Sequence, residues 1–430
     1  MALTGWIGTR RQRRAIGWGF LDQAFSSITN FGLALLAGRL LGPSGLGKVF
    51  LAFSVYLIVL VLQRALITDT LVAITSALDA ESRARTARLG LTMSLLAGLV
   101  ATTVVFSLGL LVSGSGRTGL LLVAPWLVVV LVQDFWRNLL FRESRASAAA
   151  ANDGVWILAM AMAVPVAWFF KTGWSVMIVW GVGGLGGAVV GFLQTRLWPS
   201  SIRDAWAWWW KEAWPFGRWN AAAGIVVNVG GSVGAFVLAA IVGASALGGF
   251  RAVQSLFAPL SVIGPAVGLP GLPAIARAYA VGFRQARNLA TRLSGIAVAA
   301  ALVFFAVLFL GGWRLLPLLF GKSFRQYREL ILPIALSQVF AAAGVGFPLL
   351  IKAQQRGQFL LLSRLAATLI GIGIMAMSAS KYGLIGAAWG AAAGALISTL
   401  TISLGALREP KSIPSVAPLS HANWTADTRD

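Results

Sequence analysis

The stretch LGLTMSLLAGLVATTVVFSLGLLVS, from Leu89 to Ser113, has no charged residue in 25 positions. A helix of about 20 residues, rising about 1.5 Å per residue, crosses the hydrocarbon core of a bilayer. Similar stretches recur from near Gly17 to Leu407, and 58% of the chain is apolar with a mean hydropathy of +0.81. The segments are too long for barrel strands and do not alternate with period two. The sequence therefore predicts an all-α polytopic membrane protein.

Twelve transmembrane helices are predicted, and an even number places both termini on one side of the membrane. Their ranges are 17–38, 49–72, 89–113, 119–141, 153–170, 174–195, 218–242, 249–276, 289–312, 329–350, 358–379 and 384–407. The N-terminus, the even-numbered connections and the tail, together with the adjoining span-end residues Arg137, Arg218 and Arg292, hold 23 Lys and Arg, whereas the odd-numbered connections hold 9. Basic residues favour the cytoplasmic side, which predicts a cell-membrane protein with both termini in the cytoplasm.

One connection departs from this rule. Between spans nine and ten lie four basic residues, on the side predicted to be outside: Arg314, Lys322, Arg325 and Arg328. Either a basic patch exists there or the span count is wrong locally.

An internal repeat divides the chain into two halves. LLGPSGLG, from Leu40 to Gly47, matches IVGASALG 201 positions later, and LLFRESR from Leu139 matches LLIKAQQR from Leu349, 210 positions later. The nine-residue difference falls in the basic connection. Six spans per half preserve orientation, so we expect two pseudo-symmetric six-helix lobes, 1–197 and 218–407, related by an axis along the membrane normal.

The two predicted lobes are joined by a tryptophan-rich segment. Residues 198–217 lie within WPSSIRDAWAWWWKEAWPFGRW, which is too polar to cross the bilayer. Indole rings favour the headgroup layer, so an interfacial amphipathic helix is predicted, with a ligand-stacking platform as the alternative. Residues 408–430 are polar and proline-containing, which predicts a disordered cytoplasmic tail.

The motifs of soluble chemistry are missing from the sequence. It contains no GxxxxGK[ST] loop, no HExxH helix and no GxSxG elbow, and it has no cysteine and a single histidine, His421. We therefore predict neither an enzyme nor a metal or cofactor site. The formal net charge of +22 follows from the basic loops of a membrane protein, so nucleic acid is not predicted as a partner.

The predicted spans contain a small polar and cationic set. Span one carries a polar stripe with Asn30, Arg64 lies in span two, Arg251 opens span eight ahead of Gln254, and Arg364 lies in span eleven. A charge in lipid costs several kcal/mol, and polar groups in a span should face protein or water, so these five residues are the predicted substrate-binding set. In the alternative reading, Arg64 pairs with an acid and the other two arginines extend to the headgroups.

The embedded acids all belong to the first half. Asp22 and Asp69 are the candidates for coupling to an ion gradient, and either is also the expected partner if Arg64 is paired. Asp134 has Arg137 one turn later on the same helix, which predicts a structural pair. The four prolines of span eight, at 259, 265, 270 and 273, predict that this span is bent or broken.

The chain resembles the polysaccharide-export branch of the multidrug, oligosaccharidyl-lipid and polysaccharide flippase superfamily. The resemblance rests on LLAGRLLGPSGLGKVFLAFS from Leu35, VQDFWRNLLFRESR from Val132, ALGGFRAVQSLFAPLSVI from Ala246, LLPLLFGKSF from Leu315 and YGLIGAAWGAAAGALIST from Tyr382. It implies two six-helix bundles forming a V. Where relatives often carry an Asp-Arg pair in span seven, this chain has Gly234-Ala235.

That resemblance implies a function as well as a fold. The implied activity moves a polyprenyl-diphosphate-linked oligosaccharide from the inner to the outer leaflet by alternating access, for surface polysaccharide biosynthesis, with membrane lipids and a polysaccharide polymerase as further partners. A drug/cation antiporter of the same superfamily is one alternative. A membrane-bound glycan polymerase or ligase is another, although only Glu329 lies on the predicted outer side as a catalytic acid.

Overall fold

The computed structural model describes residues 10–75, 79–143, 145–215, 217–218, 221, 224–225 and 229–409, and these are overwhelmingly helical. The helices of the first half are α1 (Arg10–Gln63), α2 (Asp69–Thr75), α3 (Ala80–Leu111), α4 (Gly114–Val123), α5 (Leu127–Arg142), α6 (Ala146–Phe170) and α7 (Gly173–Thr195). A π-helical turn, Arg64–Thr68, joins α1 to α2, and a 3₁₀ turn, Ala124–Trp126, joins α4 to α5.

The linker and the second half continue the helical pattern. The linker helix α8 (Ile202–Trp208) runs into a π turn, Trp209–Ala213. The second half contains α9 (Gly230–Leu256), α10 (Ile263–Val281), α11 (Phe283–Phe320), α12 (Ile331–Ala343), α13 (Phe347–Ala353) and α14 (Gly357–Leu407). Two 3₁₀ segments, Ala258–Val262 and Lys322–Leu330, separate α9 from α10 and α11 from α12.

Three of the long helices are interrupted by a glycine with positive φ. Gly42 in α1, Gly243 in α9 and Gly383 in α14 have φ of 67°, 84° and 62°. Only glycine adopts this region without steric cost, so each residue ends one helix and begins another. Within the described residues, nine helical segments are long and apolar enough to cross a membrane, and the breaks at 42 and 383 divide two of them into two predicted spans each.

The remaining predicted span, the eighth, is broken as its prolines predicted. Its predicted range contains the end of α9, then the 3₁₀ turn with Pro259, and then most of α10. A proline removes a backbone donor, so the chain changes direction at this point instead of continuing one straight helix. The prediction of an all-α polytopic membrane protein is confirmed.

The two halves meet through a reciprocal backbone contact. A Cβ atom built on Gly47 would lie 1.8 Å from the carbonyl oxygen of Ala244, and one built on Gly248 would lie 1.8 Å from the carbonyl oxygen of Pro43. Both members of each pair have their counterparts 201 positions away. Such mutual contact between equivalent residues is what a pseudo-two-fold axis produces. We call this end of the molecule the contact end.

A second pair of equivalent contacts supports the same symmetry. Arg145 donates to the carbonyl of Gln194 and Arg356 donates to the carbonyl of Gly405, both at 3.0 Å. Both residues precede a helix with nearly the same backbone angles, φ/ψ of −99°/48° and −91°/50°. The repeat is therefore structural, whereas the residues predicted to bound each lobe stay a prediction.

The basic connection lies at the contact end. It forms the nine-residue 3₁₀ helix Lys322–Leu330, whose Tyr327 hydroxyl lies 3.2 Å from the Ser245 hydroxyl oxygen of α9. Helices flank it on both sides, so the span count holds here and the basic patch is real. Its length equals the difference between the two repeat offsets.

The tryptophan-rich linker packs against the first half. The indole nitrogen of Trp209 donates to the carbonyl of Leu66, inside the π turn that follows α1, at 3.2 Å. Next to it, Trp210 and Trp214 stack with an interplanar angle of 8°. The predicted helix is present, and its place in the headgroup layer stays a prediction. The tail lies outside the described residues from position 410 onward.

Candidate functional site

A row of three adjoining cavities crosses the middle of the molecule. A cavity of about 270 Å³ lies in the first half, and one of about 430 Å³ lies in the second half. A small cavity of about 20 Å³ lies between them; it shares Asn30 and Phe53 with the first and Phe50 with the second. We call this row the central crevice.

Arg251 occupies the middle of the crevice. Its guanidinium carbon lies 4.4 Å from the centre of the Phe50 ring, a cation–π arrangement. Phe50 and Arg251 are 201 positions apart, so the contact joins equivalent residues and lies on the pseudo-two-fold axis. The next turns also correspond, because Ser54 donates to the Phe50 carbonyl at 2.9 Å and Ser255 to the Arg251 carbonyl at 2.8 Å.

Arg251 has no acid partner among the residues that the structure describes. The small cavity beside Arg251 is lined by Asn30 and by apolar side chains that include Phe50 and Phe53. An anion that entered the crevice would therefore meet a cation whose charge is still available.

Arg64 lines the first-half cavity, but it is paired. Its Nε lies 2.9 Å from Oδ2 of Asp134, and its Nη2 bonds to the other carboxylate oxygen. Asp69 was therefore the wrong partner, and the side chain of Asp22, the other expected partner, lies outside the described residues. Asp134 also accepts from the Asn138 amide at 3.0 Å. This double contact holds Arg64 at the start of the π turn.

Arg137 pairs with another helix as well. Its Nε lies 3.2 Å from Oδ2 of Asp153 on α6, so the pair predicted between Asp134 and Arg137 was wrong. The Gln133 amide bridges to Asp153 at 3.2 Å and to Asn152 at 2.9 Å. Two arginines and two aspartates thus form two neutral pairs that line one side of the first-half cavity.

Aromatic side chains line the same cavity. The Tyr56 ring lies edge-on to Trp180 with centroids 4.9 Å apart, and Phe53 and Trp156 each lie 6.1 Å from Trp180. All four side chains line the cavity. The first half therefore combines flat apolar faces with charged and amide groups across one space.

The second-half cavity is mainly apolar. Gln254, Thr368 and Ser398 are the polar side chains among the residues that line it. Several glycines line it as well, among them Gly231, where an added Cβ would have no other heavy atom within 4 Å.

The predicted site residues are only partly brought together. Asn30, Arg64, Arg251 and Gln254 line the crevice, whereas Arg364 is not among the lining residues. Arg364 precedes Thr368 by one helical turn, so it lies on the cavity-facing side of α14, one turn beyond the cavity. Asp69 is exposed and forms no ion pair with Arg64.

The remaining predictions concern groups that the structure describes less fully. The side chain of Asp22 lies outside the described residues. Within the part of the chain that is described, no group of three or more histidine and acidic side chains could hold a metal ion.

Sequence reasoning missed the aromatic side of the site. The sequence does not distinguish Tyr56 and Trp180 from other aromatic residues of the spans. Phe50 is marked as a site residue by its contact with Arg251. A signal was present in the repeat, since aligning the halves places Phe50 on Arg251 directly.

Comparison with known proteins identifies the fold. No protein-family model and no curated protein sequence matches the chain. Among solved structures, an inward-facing multidrug resistance MATE family transporter of the MOP superfamily matches with a TM-score of 0.70 and 14% identity, over 88% of this chain and 93% of that one. The lipid II flippase MurJ, in an inward closed conformation, matches with a TM-score of 0.69 and 12% identity, over 90% and 87%.

An outward-facing MATE family transporter matches with a TM-score of 0.63 and 15% identity, over 94% of this chain and 96% of that one. The chain thus has the V-shaped, two-lobed fold of membrane transporters. Within that class, it has the fold shared by MATE transporters and MurJ, as the sequence resemblance implied.

Proposed function

We propose that this protein is a flippase that moves a polyprenyl-diphosphate-linked oligosaccharide from the inner to the outer leaflet by alternating access. The observation that carries the proposal is Arg251, a cation on the pseudo-two-fold axis of the central crevice that no acid in the described part of the chain pairs with. The similarity to MurJ, a lipid II flippase, supports a lipid-linked substrate.

The axial position suits a group that must hold its ligand throughout a transport cycle. When two lobes rock against each other to change access, residues at the centre of their interface move least. A diphosphate bound at Arg251 would stay bound while access changes from one side to the other. The planar guanidinium group can grip two phosphate oxygens at once, which a lysine cannot do.

The surrounding cavities fit the other parts of such a substrate. The aromatic and polar sides of the first-half cavity suit sugar rings, which have apolar faces and a hydroxyl rim. An apolar groove of about 340 Å³ runs between α1 and α11, lined by Phe31, Phe304 and Leu308, and reaches Ser255, one turn from Arg251. This groove would let the prenyl chain remain in lipid while the headgroup occupies the crevice.

The drug/cation antiporter alternative is less well supported. A cavity that binds cations needs acids with unspent charge, whereas Asp134 and Asp153 in the first-half cavity are both paired with arginines. The polymerase or ligase alternative would need catalytic acids converging on one space. In the described part of the crevice, the two acids form ion pairs instead.

The test is binding and transport of a defined probe. Undecaprenyl diphosphate carrying one N-acetylglucosamine would be titrated into the purified protein and flipped in proteoliposomes. We expect Arg251→Ala to weaken probe binding by about one to two decades, the loss of a charge-assisted hydrogen bond. Arg251→Lys should recover only part of this loss, because it lacks the fork.

Arg284→Ala provides the matched control, since Arg284 is an exposed arginine of the same half that lies away from the crevice. Wild-type affinity and flipping by Arg251→Ala would refute the cationic-site mechanism. Ethidium transport driven by a proton or sodium gradient, with no binding of the lipid probe, would favour the antiporter instead.

A further inference from the structure

The nine-residue helix Lys322–Leu330 has a strict three-residue pattern, and we call it the basic cap. A 3₁₀ helix has about three residues per turn, so residues i, i+3 and i+6 lie on one face. In KSFRQYREL these faces separate completely. One face is cationic, a second is Phe324, Tyr327 and Leu330, and the third is Ser323, Gln326 and Glu329.

The aromatic face of the basic cap packs onto the contact between the halves. Phe324 is 0% exposed and Leu330 3% exposed. The Tyr327 ring lies over Gly249, where an added Cβ would come within 2.4 Å of it, and its hydroxyl reaches Ser245 on α9. Both α9 residues flank Gly248, which carries one side of the reciprocal contact.

The cationic face points away from the protein. Lys322 and Arg325 are exposed and Arg328 is partly exposed, and no carboxylate among the described residues pairs with any of them. With a rise of about 2 Å per residue, successive cations stand about 6 Å apart along the helix. This row has no counterpart in the first half, because the basic cap is the extra segment of the repeat.

The neighbours of the cationic face place it at the edge of the apolar belt. Leu318, shortly before the basic cap, is 66% exposed, and Leu332, just after it, is 46% exposed. Exposed leucines at the ends of two spanning helices face lipid tails, and basic side chains that follow them directly lie at headgroup depth. Anionic headgroups at this depth would also offset the positive charge of the basic cap, which lies on the side of the membrane where loops usually carry few basic residues.

We propose that Lys322, Arg325 and Arg328 bind the phosphate groups of anionic phospholipids, and that this binding stabilises the contact between the two halves. The basic cap transmits the effect because one face holds the headgroups while the opposite face holds α9 beside Gly248. Lipid composition at the contact end would then bias how readily the halves separate there. This inference does not depend on what the crevice transports.

The experiment uses the full-length protein in nanodiscs of phosphatidylcholine with or without phosphatidylglycerol. Native mass spectrometry measures the lipid that the protein retains. Spin labels at Val112→Cys and Tyr382→Cys, one in each half, report separation at the contact end. We expect phosphatidylglycerol to be retained in preference to phosphatidylcholine and to narrow the distance distribution.

The triple variant Lys322→Gln/Arg325→Gln/Arg328→Gln should lose roughly one hundredfold in preference for phosphatidylglycerol, and its distances should no longer respond. High salt should weaken the wild-type effect in the same direction. Arg325→Lys/Arg328→Lys keeps the charges and should retain both responses. Arg284→Gln/Arg287→Gln/Arg292→Gln, at the other end of α11, is the matched control and should keep the distance response.

Tyr327→Phe separates binding from its consequence. It removes the hydroxyl contact to Ser245 without changing the cationic face, so lipid preference should persist while the distance response weakens. An unchanged lipid preference in the triple glutamine variant would overturn the proposal. So would a response to undecaprenyl diphosphate but not to phosphatidylglycerol, since the site would then belong to a polyprenyl diphosphate.

Discussion

Arg64 and Arg251 lie in similarly apolar helices but are stabilised in different ways. Arg64 gives its charge to Asp134, whose side chain is 3% exposed, while its own side chain is 35% exposed. Arg251 lies over an aromatic ring beside a cavity. Burying an isolated charge costs several kcal/mol, so the first residue is stabilised by its partner, and the contact that the structure shows for the second is the cation–π contact with Phe50.

The exposure difference makes the Arg64–Asp134 pair asymmetric. Arg64→Leu leaves a buried carboxylate without its main partner, so we expect the free energy of unfolding to fall by up to about 3–5 kcal/mol. Asp134→Leu should cost less, because Arg64 can turn toward water. The double variant should recover much of the loss, since no unpaired charge remains. Unfolding by denaturant in detergent measures the free energy of unfolding of each variant. Equal losses in the two single variants, or a loss in the double variant equal to their sum, would contradict this account.

This pair also marks the limit of sequence reasoning at the residue scale. The cost of charged and polar groups in lipid selected Arg64, Arg251, Asn30 and Gln254, which line the crevice, but also Arg364, which does not. The partner of Arg64 lies 70 positions away on another helix. Sequence spacing reveals neighbours on one helix, which is why Arg137 was wrongly paired with Asp134. Contacts between helices depend on how they pack, and a single sequence does not contain that information directly.

At the scale of elements, hydropathy predicted the spans well because length and apolar composition are the conditions for crossing a bilayer. The bends at Gly42 and Gly243 fell at predicted connections for the same reason. Hydropathy could not distinguish α-helical from π or 3₁₀ turns, since these differ in hydrogen bonding and not in polarity. The π turn at Arg64 and the 3₁₀ geometry of the basic cap were therefore unforeseen.

Gly47 provides a test of how closely the halves approach. An added methyl group would lie 1.8 Å from the Ala244 carbonyl oxygen, a distance that backbone atoms cannot accommodate without moving. We expect Gly47→Ala to separate the halves at the contact end, which the spin labels at positions 112 and 382 would report as longer distances. Gly248→Ala should act in the same way by symmetry.

Gly32→Ala is the matched control on the same helix, because no other heavy atom lies within 4 Å of its added Cβ. Unchanged distances in Gly47→Ala, or a shift equally large in Gly32→Ala, would argue against the reciprocal contact as the closure between the halves.

The whole molecule is a symmetric frame with asymmetric additions. The frame comprises the reciprocal contacts of Gly47 and Gly248 at the contact end, and the matching contacts of Arg145 and Arg356 with backbone carbonyls. Three features break the symmetry: the ion pairs of the first-half cavity, Arg251 on the axis, and the basic cap. The repeat could be read from sequence because both halves keep glycine where the halves touch, at Gly47 and Gly248, and where a helix bends, at Gly42 and Gly243. The additions share no pattern between halves, so only the structure relates them to one another.

Orientation in the membrane is the remaining property of the whole molecule that an experiment can decide. The asymmetry of 23 against 9 basic residues predicts cytoplasmic termini, which places the contact end and the basic cap outside. The chain has no cysteine, so single introduced cysteines report sidedness without background. With a thiol reagent that cannot cross the bilayer, intact cells should label Ser115→Cys and Ser323→Cys but not Ser147→Cys. Labelling at 147 with protection at 115 would invert the topology. Labelling at 115 without labelling at 323 would mean that the bilayer covers the basic cap. Its cations would then lie below the headgroups, where anionic lipid phosphates could not reach them.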